Sequence, residues 1–219
     1  MFQLAYNVSK HAPVHVFSLE MDKEQIFMRL LAGVVNRSTM AIQKGSVDKN
    51  ELIKAKATLD NLQYYVDDRA GLNVFELTNA AKDAHRRYGT QLIVIDYLQL
   101  LRTPKGHSKD DEIGTITKEL KALARDLKVP VIVGSQLNRQ CETRGRETGD
   151  YKPMLSDIRE SGNVEQDADI VMFVHRESRY TGERPGEADL IISKNRNGPC
   201  NSILMHFSES QTKFIDLSL

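Results

Sequence analysis

An α/β fold is predicted, with a mainly parallel sheet flanked by helices and an antiparallel extension at the C-terminal end. Three observations carry this. The run Gln91–Asp96 (QLIVID) holds four consecutive apolar residues, three of them β-branched, without alternation, as in a strand covered on both faces. Similar short runs at Val14–Leu19 and Val131–Gly134 are separated by stretches with helical spacing. Beyond Asp169 the pattern changes to strand after strand, joined by turn signals such as Asn197-Gly198-Pro199.

In order along the chain, Phe2, Leu4, Ala5 and Val8 space a helix that starts at Met1 itself. Asp22 caps a second helix bearing Ile26, Phe27, Leu30 and Leu31, and Asp48 caps a third, with Leu52, Ala55, Leu59 and Leu62 as its face. Tyr64–Val66 is a brief strand and Val74–Tyr88 a helix. A polar loop over 102–109 leads to a helix over Asp110–Leu127, with Ile113, Ile116, Leu120, Leu123 and Leu127 in register. The stretch 138–152 is polar and Arg-rich and is expected to be a long loop. Asp169–Val174 is expected to be a third buried strand, followed by strands at Leu190–Ser193, Ile203–Phe207 and Lys213–Leu217. With no repeat or linker in view, one domain over 1–219 is the expectation.

Composition narrows the function classes. Apolar content of 40% and charged content of 27% match an ordinary globular core rather than disorder. Lys plus Arg equals Asp plus Glu at 30 each, so any nucleic-acid surface must be local. Cys141 and Cys200 lack zinc-ribbon spacing and suit a reducing, cytoplasmic setting, and no His pair has zincin spacing. No apolar run approaches a membrane span and no signal peptide is visible, so a soluble chain without membrane partners is expected.

Parallel sheets bind ligands beyond the carboxyl ends of their strands. Three strands here end in Glu20, in Asp96 and in Ser135-Gln136. An apolar run closing in Asp is the Walker B arrangement, whose acid helps to hold Mg²⁺ on a nucleotide. Glu20 suits a general base and Gln136 a hydrogen-bonding γ-phosphate sensor. Each has an ordinary alternative: Asp96 a helix cap or surface acid, Glu20 a solvated strand end, Gln136 a polar residue of no special meaning. On pattern alone, a nucleotide site and three ordinary strand ends both remain open.

The motifs FSLEM (17–21), IDYLQL (95–100), SQLNR (135–139), DIRESGNVEQDADIVMF (157–173) and SKNRNGP (193–199) stand in one order over essentially the whole chain. In this the chain resembles the DnaB-type hexameric replicative DNA helicases, and RESG-x-x-E-Q-D-A-D is specific to that family. The resemblance implies a RecA-like P-loop NTPase core, with ATP and Mg²⁺ as cofactors and 5′ to 3′ unwinding of DNA at a replication fork. It implies single-stranded DNA, a homo-hexamer, primase and a helicase loader as partners. By the same resemblance Glu20 matches the catalytic glutamate, Asp96 the Mg²⁺-associated acid acting through water, and Gln136 the γ-phosphate sensor. Lys194 and Arg196 match a basic pair that reaches a neighbouring subunit's ATP, with Arg196 as arginine finger. Arg159, Glu160 and Gly162 match a loop that meets the DNA backbone; Arg pairs with phosphate and Gly lets a backbone N–H approach it.

One departure from the family stands out. The phosphate loop G-x-x-x-x-G-K-[ST] does not occur in the chain; Lys44-Gly45-Ser46 has the order reversed. The expectation is a core lacking its first strand and P-loop, deficient in ATP hydrolysis by itself. The alternatives are a RecA-like recombination or regulatory ATPase, and a non-catalytic helicase fragment that binds DNA or partner subunits.

Overall fold

A computed structural model describes residues 1–103, 108–158 and 161–217. Part of the polar loop over 102–109, and Arg159 and Glu160, lie outside the described residues. The chain forms two compact units, 1–135 with 210–212 and 136–209 with 213–219.

In the first unit, α1 (Phe2–Ser9), β1 (Val14–Ser18), α2 (Lys23–Val35), α3 (Thr39–Gln43), α4 (Lys49–Asp60), β2 (Tyr64–Asp67), α5 (Val74–Tyr88), β3 (Leu92–Asp96), α6 (Lys109–Leu127) and β4 (Val131–Val133) follow in turn. The four strands pair in parallel in the order β2-β1-β3-β4. Because side chains alternate across a strand, Val14, Val16, Leu92 and Val94 share one face, where they pack with Ala5, Phe2 and Val8 of α1. Phe17, Ile93 and Ile95 point to the other face and are fully buried. Each such burial contributes on the order of 1.5–3 kcal/mol, so two-sided covering explains the unbroken apolar run of β3.

The helices start where the chain supplies acceptors for orphan N–H groups. Asp22 accepts from the Gln25 amide at 2.7 Å, Asp48 from Asn50 and Glu51, and Ser108 from Asp111 at 3.1 Å. Asn73 and Glu76 form a reciprocal capping box on α5, which ends at Gly89 in the left-handed region. α3 was not visible as periodicity; it is a single capped turn with no buried residue.

In the second unit α7 (Gln140–Thr148) and α8 (Ser161–Asp167) precede the antiparallel sheet of β5 (Ile170–His175), β6 (Glu187–Asn195), β7 (Ser202–Ser208) and β8 (Lys213–Asp216), ordered β5-β6-β7-β8. Two expectations change here. The stretch 138–152 is not a loop throughout, since α7 occupies its middle. It has almost no apolar face, and it is held by the Arg144–Asp157 ion pair and by Tyr151, which lies so close to Gly145 that a Cβ there would clash at 2.2 Å. β5 is not covered on both faces within its unit. Val171 and Phe173 pack with Ile158, Leu137, Leu155 and Val164, while Ile170, Met172 and Val174 are exposed. That is the alternation of an antiparallel sheet with one packed face. No helix among the described residues is long and apolar enough to cross a membrane.

His15 interrupts the apolar alternation of β1. Its ring lies 4.8 Å from Phe17 and its Nδ1 is buried without a hydrogen-bond partner among the described residues. Burial holds its pKa below the ordinary value, with Arg69 adding to this and Asp67 opposing it. As pH falls, the unfolded chain therefore takes up this proton first, and stability drops from about pH 6.5 downward until the folded imidazole also titrates. The slope is at most about 1.4 kcal/mol per pH unit. Denaturant unfolding of wild type and His15→Phe between pH 7.5 and pH 5 checks this: the wild type should lose more stability on acidification, and parallel losses contradict it.

Candidate nucleotide and nucleic-acid site

The parallel ladder between β1 and β3 sets Ser18 opposite Asp96. The Leu19 N–H then donates to the Asp96 carbonyl at 2.9 Å, so the chain leaving β1 stays beside the end of β3 for one residue more. Glu20 follows, exposed, in a turn closed by Ser18 Oγ donating to the Met21 carbonyl at 2.6 Å; Asp22 then caps α2. Two carboxylates predicted from separate strands thus share one rim. The electrostatics agree: burial first and the Glu20 charge second push the Asp96 carboxyl above the ordinary carboxylate range, while the Met1 amine and Arg29 pull it back.

A half-buried acid raised by burial and by a neighbouring like charge favours a cation at that rim. Among the described residues no three His, Cys, Asp or Glu side chains converge to cage a metal. Mg²⁺, however, is usually held by one or two carboxylates with water and substrate phosphates, and the Asp96–Glu20 pair fits that donor set. Arg29 escaped the sequence reading. Its signal was its place on α2, four residues on from Gln25 and seven from the cap Asp22, which puts the three on one side of the helix start.

The neighbouring strand exit is also fixed. Gly134 N–H donates to the Ile95 carbonyl at 2.9 Å, and Leu98 N–H donates to the Gly134 carbonyl at 2.8 Å. Gln99 Nε2 donates to Ser135 Oγ at 3.0 Å. Gln99, likewise missed, therefore ties the exit of β3 to the residue just before Gln136. Gln136 itself is exposed and opens the second unit.

Within that unit Lys194 and Arg196 sit at the end of β6, beside the start of β5. The Lys194 ammonium donates to the carbonyls of Glu165 and Gln166 at the end of α8. Arg196 donates its backbone N–H to the Asp169 carbonyl at 2.9 Å and its guanidinium to Asp169 Oδ1 at 3.2 Å. Both ends of the Arg196–Asp169 pair are about half exposed. Gly162 lies exposed on α8, with open space where a Cβ would stand. The described residues thus bring Glu20 to Asp96, and Lys194 and Arg196 to α8 and Asp169.

If Glu20 contributes to the raised pKa of Asp96, removing its charge should lower it. In Glu20→Gln the Asp96 carboxyl, followed by ¹³C NMR, should titrate at lower pH than in the wild type. An unchanged midpoint would leave burial as the whole cause.

Comparison with known proteins gives one answer at each level. A model of the DnaB-like helicase C terminal domain matches residues 1–216. The chain is 38% identical to a replicative DNA helicase DnaB of Leifsonia xyli subsp. xyli, over 99% of this chain and 48% of that protein. It is 41% identical to the replicative DNA helicase DnaC of Bacillus subtilis, over 93% of this chain and 46% of that protein. The chain thus spans about half the length of the curated relatives it matches. A solved ATPase domain superposes with TM-score 0.91 at 33% identity, covering 99% of this chain and 78% of that one. A DnaB-like replicative helicase solved in a study of its interactions with primase gives TM-score 0.90 at 34% identity, covering 97% of this chain and 52% of that one. With its fold and its sequence in agreement, the chain belongs to the DnaB-like helicase C-terminal domain family.

Proposed function

We propose that this chain is the ATPase portion of a hexameric ring that moves 5′ to 3′ along single-stranded DNA and unwinds the duplex at a replication fork. The adjacency of Glu20 and Asp96 at the ends of β1 and β3, in a chain of this family, carries the reading. We read the two compact units as parts of one ATPase domain over 1–219. Bound Mg·ATP supplies the phosphoanhydride whose hydrolysis drives movement. Asp96 would hold the Mg²⁺ through water, and Glu20 would take the proton of the attacking water. Gln136 would sense the γ-phosphate, and Lys194 and Arg196 would act on the ATP of a neighbouring copy. Arg159, Glu160 and Gly162 would meet the single strand at its backbone, without reading sequence, as a motor on any DNA requires. Primase and a helicase loader are proposed partners, in the cytoplasm. The absence of G-x-x-x-x-G-K-[ST] from the sequence favours a second reading, a non-catalytic piece that binds DNA or helicase subunits.

The two readings separate in DNA-stimulated ATPase assays on the chain and on a version extended at its N-terminus by a segment carrying G-x-x-x-x-G-K-[ST]. The extended chain should turn over and the chain itself should not; turnover by neither moves the second reading first. In the extended form Glu20→Gln should lower turnover by about 10²–10⁴ and Arg196→Ala by about 10³–10⁵. Mixing the two variants should restore part of the activity, because each then supplies what its neighbour lacks. Failure to restore it contradicts a finger acting between subunits.

A further inference from the structure

The turn between β6 and β7 carries a reactive pair of residues that the proposed function does not use. Beyond Ile192, whose N–H donates to the Asn201 carbonyl at 2.8 Å, the two strands no longer pair, although β6 keeps its pairing to β5 as far as Asn195. Arg196 is then held to Asp169 by its backbone N–H, and the residues from Arg196 to Cys200 are all exposed. Within this tip lies Asn197-Gly198, the one Asn-Gly pair in the sequence.

A single side chain builds the turn. Asn195 Oδ1 accepts from the Asn197 N–H at 3.3 Å, and Asn195 Nδ2 donates to the Pro199 carbonyl at 3.4 Å. An Asn side chain thus stands in for a backbone turn. A Cβ on Gly198 would lie 2.7 Å from Asn195 Nδ2, so a larger residue enters only by displacing the side chain that makes both bonds. The fold therefore asks for Gly after Asn197. Between the two bonded groups, the Gly198 N–H and the Asn197 side-chain amide make no hydrogen bond among the described residues.

We propose that Asn197 is a site of spontaneous deamidation, through which the folded chain acquires a carboxylate beside Arg196. Asn is a thermolabile residue, and here neither reacting group has a hydrogen bond to give up. The Gly198 nitrogen attacks Asn197 Cγ, with no side chain on Gly198 to block its approach. A C–N bond forms, the Cγ–Nδ2 bond breaks, and Nδ2 leaves as ammonia with the proton shed by the Gly198 nitrogen. Water then opens the succinimide at either carbonyl, leaving aspartate or isoaspartate at 197; nothing is oxidised or reduced. The chemistry stands apart from the helicase reading, and only its consequence rests on it. The new carboxylate lies one residue from Arg196, whose guanidinium bond to Asp169 is half exposed. It competes for that guanidinium with Asp169 and with the neighbouring copy's phosphate that Arg196 is proposed to meet.

The test incubates the full chain, folded and in urea, and follows the peptide containing Asn197 by mass spectrometry that separates aspartate from isoaspartate. In the folded chain Asn197 should convert ahead of every other Asn, at a rate close to that in urea, with isoaspartate among the products. Protection of Asn197 in the folded chain alone overturns the proposal, as does earlier conversion of another Asn. Aspartate without isoaspartate also overturns it, because that outcome requires direct hydrolysis with no ring. The effect on Arg196 is read by ¹⁵N NMR of its guanidinium. Asn197→Asp should shift the Arg196 Nε–H signal, and Asp169→Asn should shift it less in that variant than in the wild type. An Arg196 signal that Asn197→Asp leaves in place overturns the claimed competition. Neither measurement uses ATP or DNA, so failure of the helicase reading in its own assays is distinguishable from failure here.

Discussion

The parallel pairing of β1 with β3 is the constraint on which the rest of the site depends. Both strands are covered on two faces, and a one-residue slip would turn every side chain of one of them into the opposite layer, against neighbours it does not fit. Packing of Val14, Val16 and Phe17 against Leu92, Val94 and Ile95 therefore sets the register, and the register puts Ser18 opposite Asp96. Glu20 reaches the rim only because Leu19 continues that pairing by one hydrogen bond. Burial of Asp96 first, and the Glu20 charge beside it second, hold its carboxyl above the ordinary range. A cation between phosphates and these acids would favour their charged forms, so the electrostatics of the rim and the proposed chemistry point the same way.

The second unit solves a different problem, that of holding charged groups on a surface with little apolar cover. Its devices are bidentate or multiple contacts: Arg144 with Asp157, Arg184 with Glu187 and Asp189, Lys194 with the last carbonyls of α8, and Arg196 with Asp169. They differ in kind. Asp157 is nearly inaccessible, so its pair is fixed by desolvation and geometry, whereas the Arg196–Asp169 pair is half exposed and contributes on the order of 0–1 kcal/mol. Such an exposed pair holds the guanidinium in place without preventing its transfer to a phosphate. A cation placed this way would suit the role proposed for Arg196 between neighbouring copies.

The parts legible in the sequence were those set by local physics. β1, β3 and β4 were apolar runs, and the caps at Asp22 and Asp48 mark the starts of α2 and α4. α7 and α8 were illegible because they bury few side chains: Cys141 and Gly145 in one, Val164 against the sheet in the other. Their support comes from Asp157 and Lys194, 13 and 29 residues from their partners, and no periodicity reports contacts of that kind. Glu20 and Asp96 were each readable as strand-end acids, but their adjacency needs the pairing order β1-β3, which skips a strand in sequence. The motif resemblance supplied the roles that pattern alone left open. Arg29 and Gln99 were missed since each looks like an ordinary polar residue until the strand ends converge on it.

The central claim is that Glu20 and Asp96 face one metal–nucleotide complex. The most direct measurement is paramagnetic broadening of ¹³C-labelled carboxylates by Mn²⁺ with ATP, in the chain extended through a phosphate loop. The account predicts that Asp96 and Glu20 broaden first and together, well ahead of the other carboxylates, and that ATP is required. Broadening elsewhere, with Asp96 and Glu20 unaffected, would contradict it.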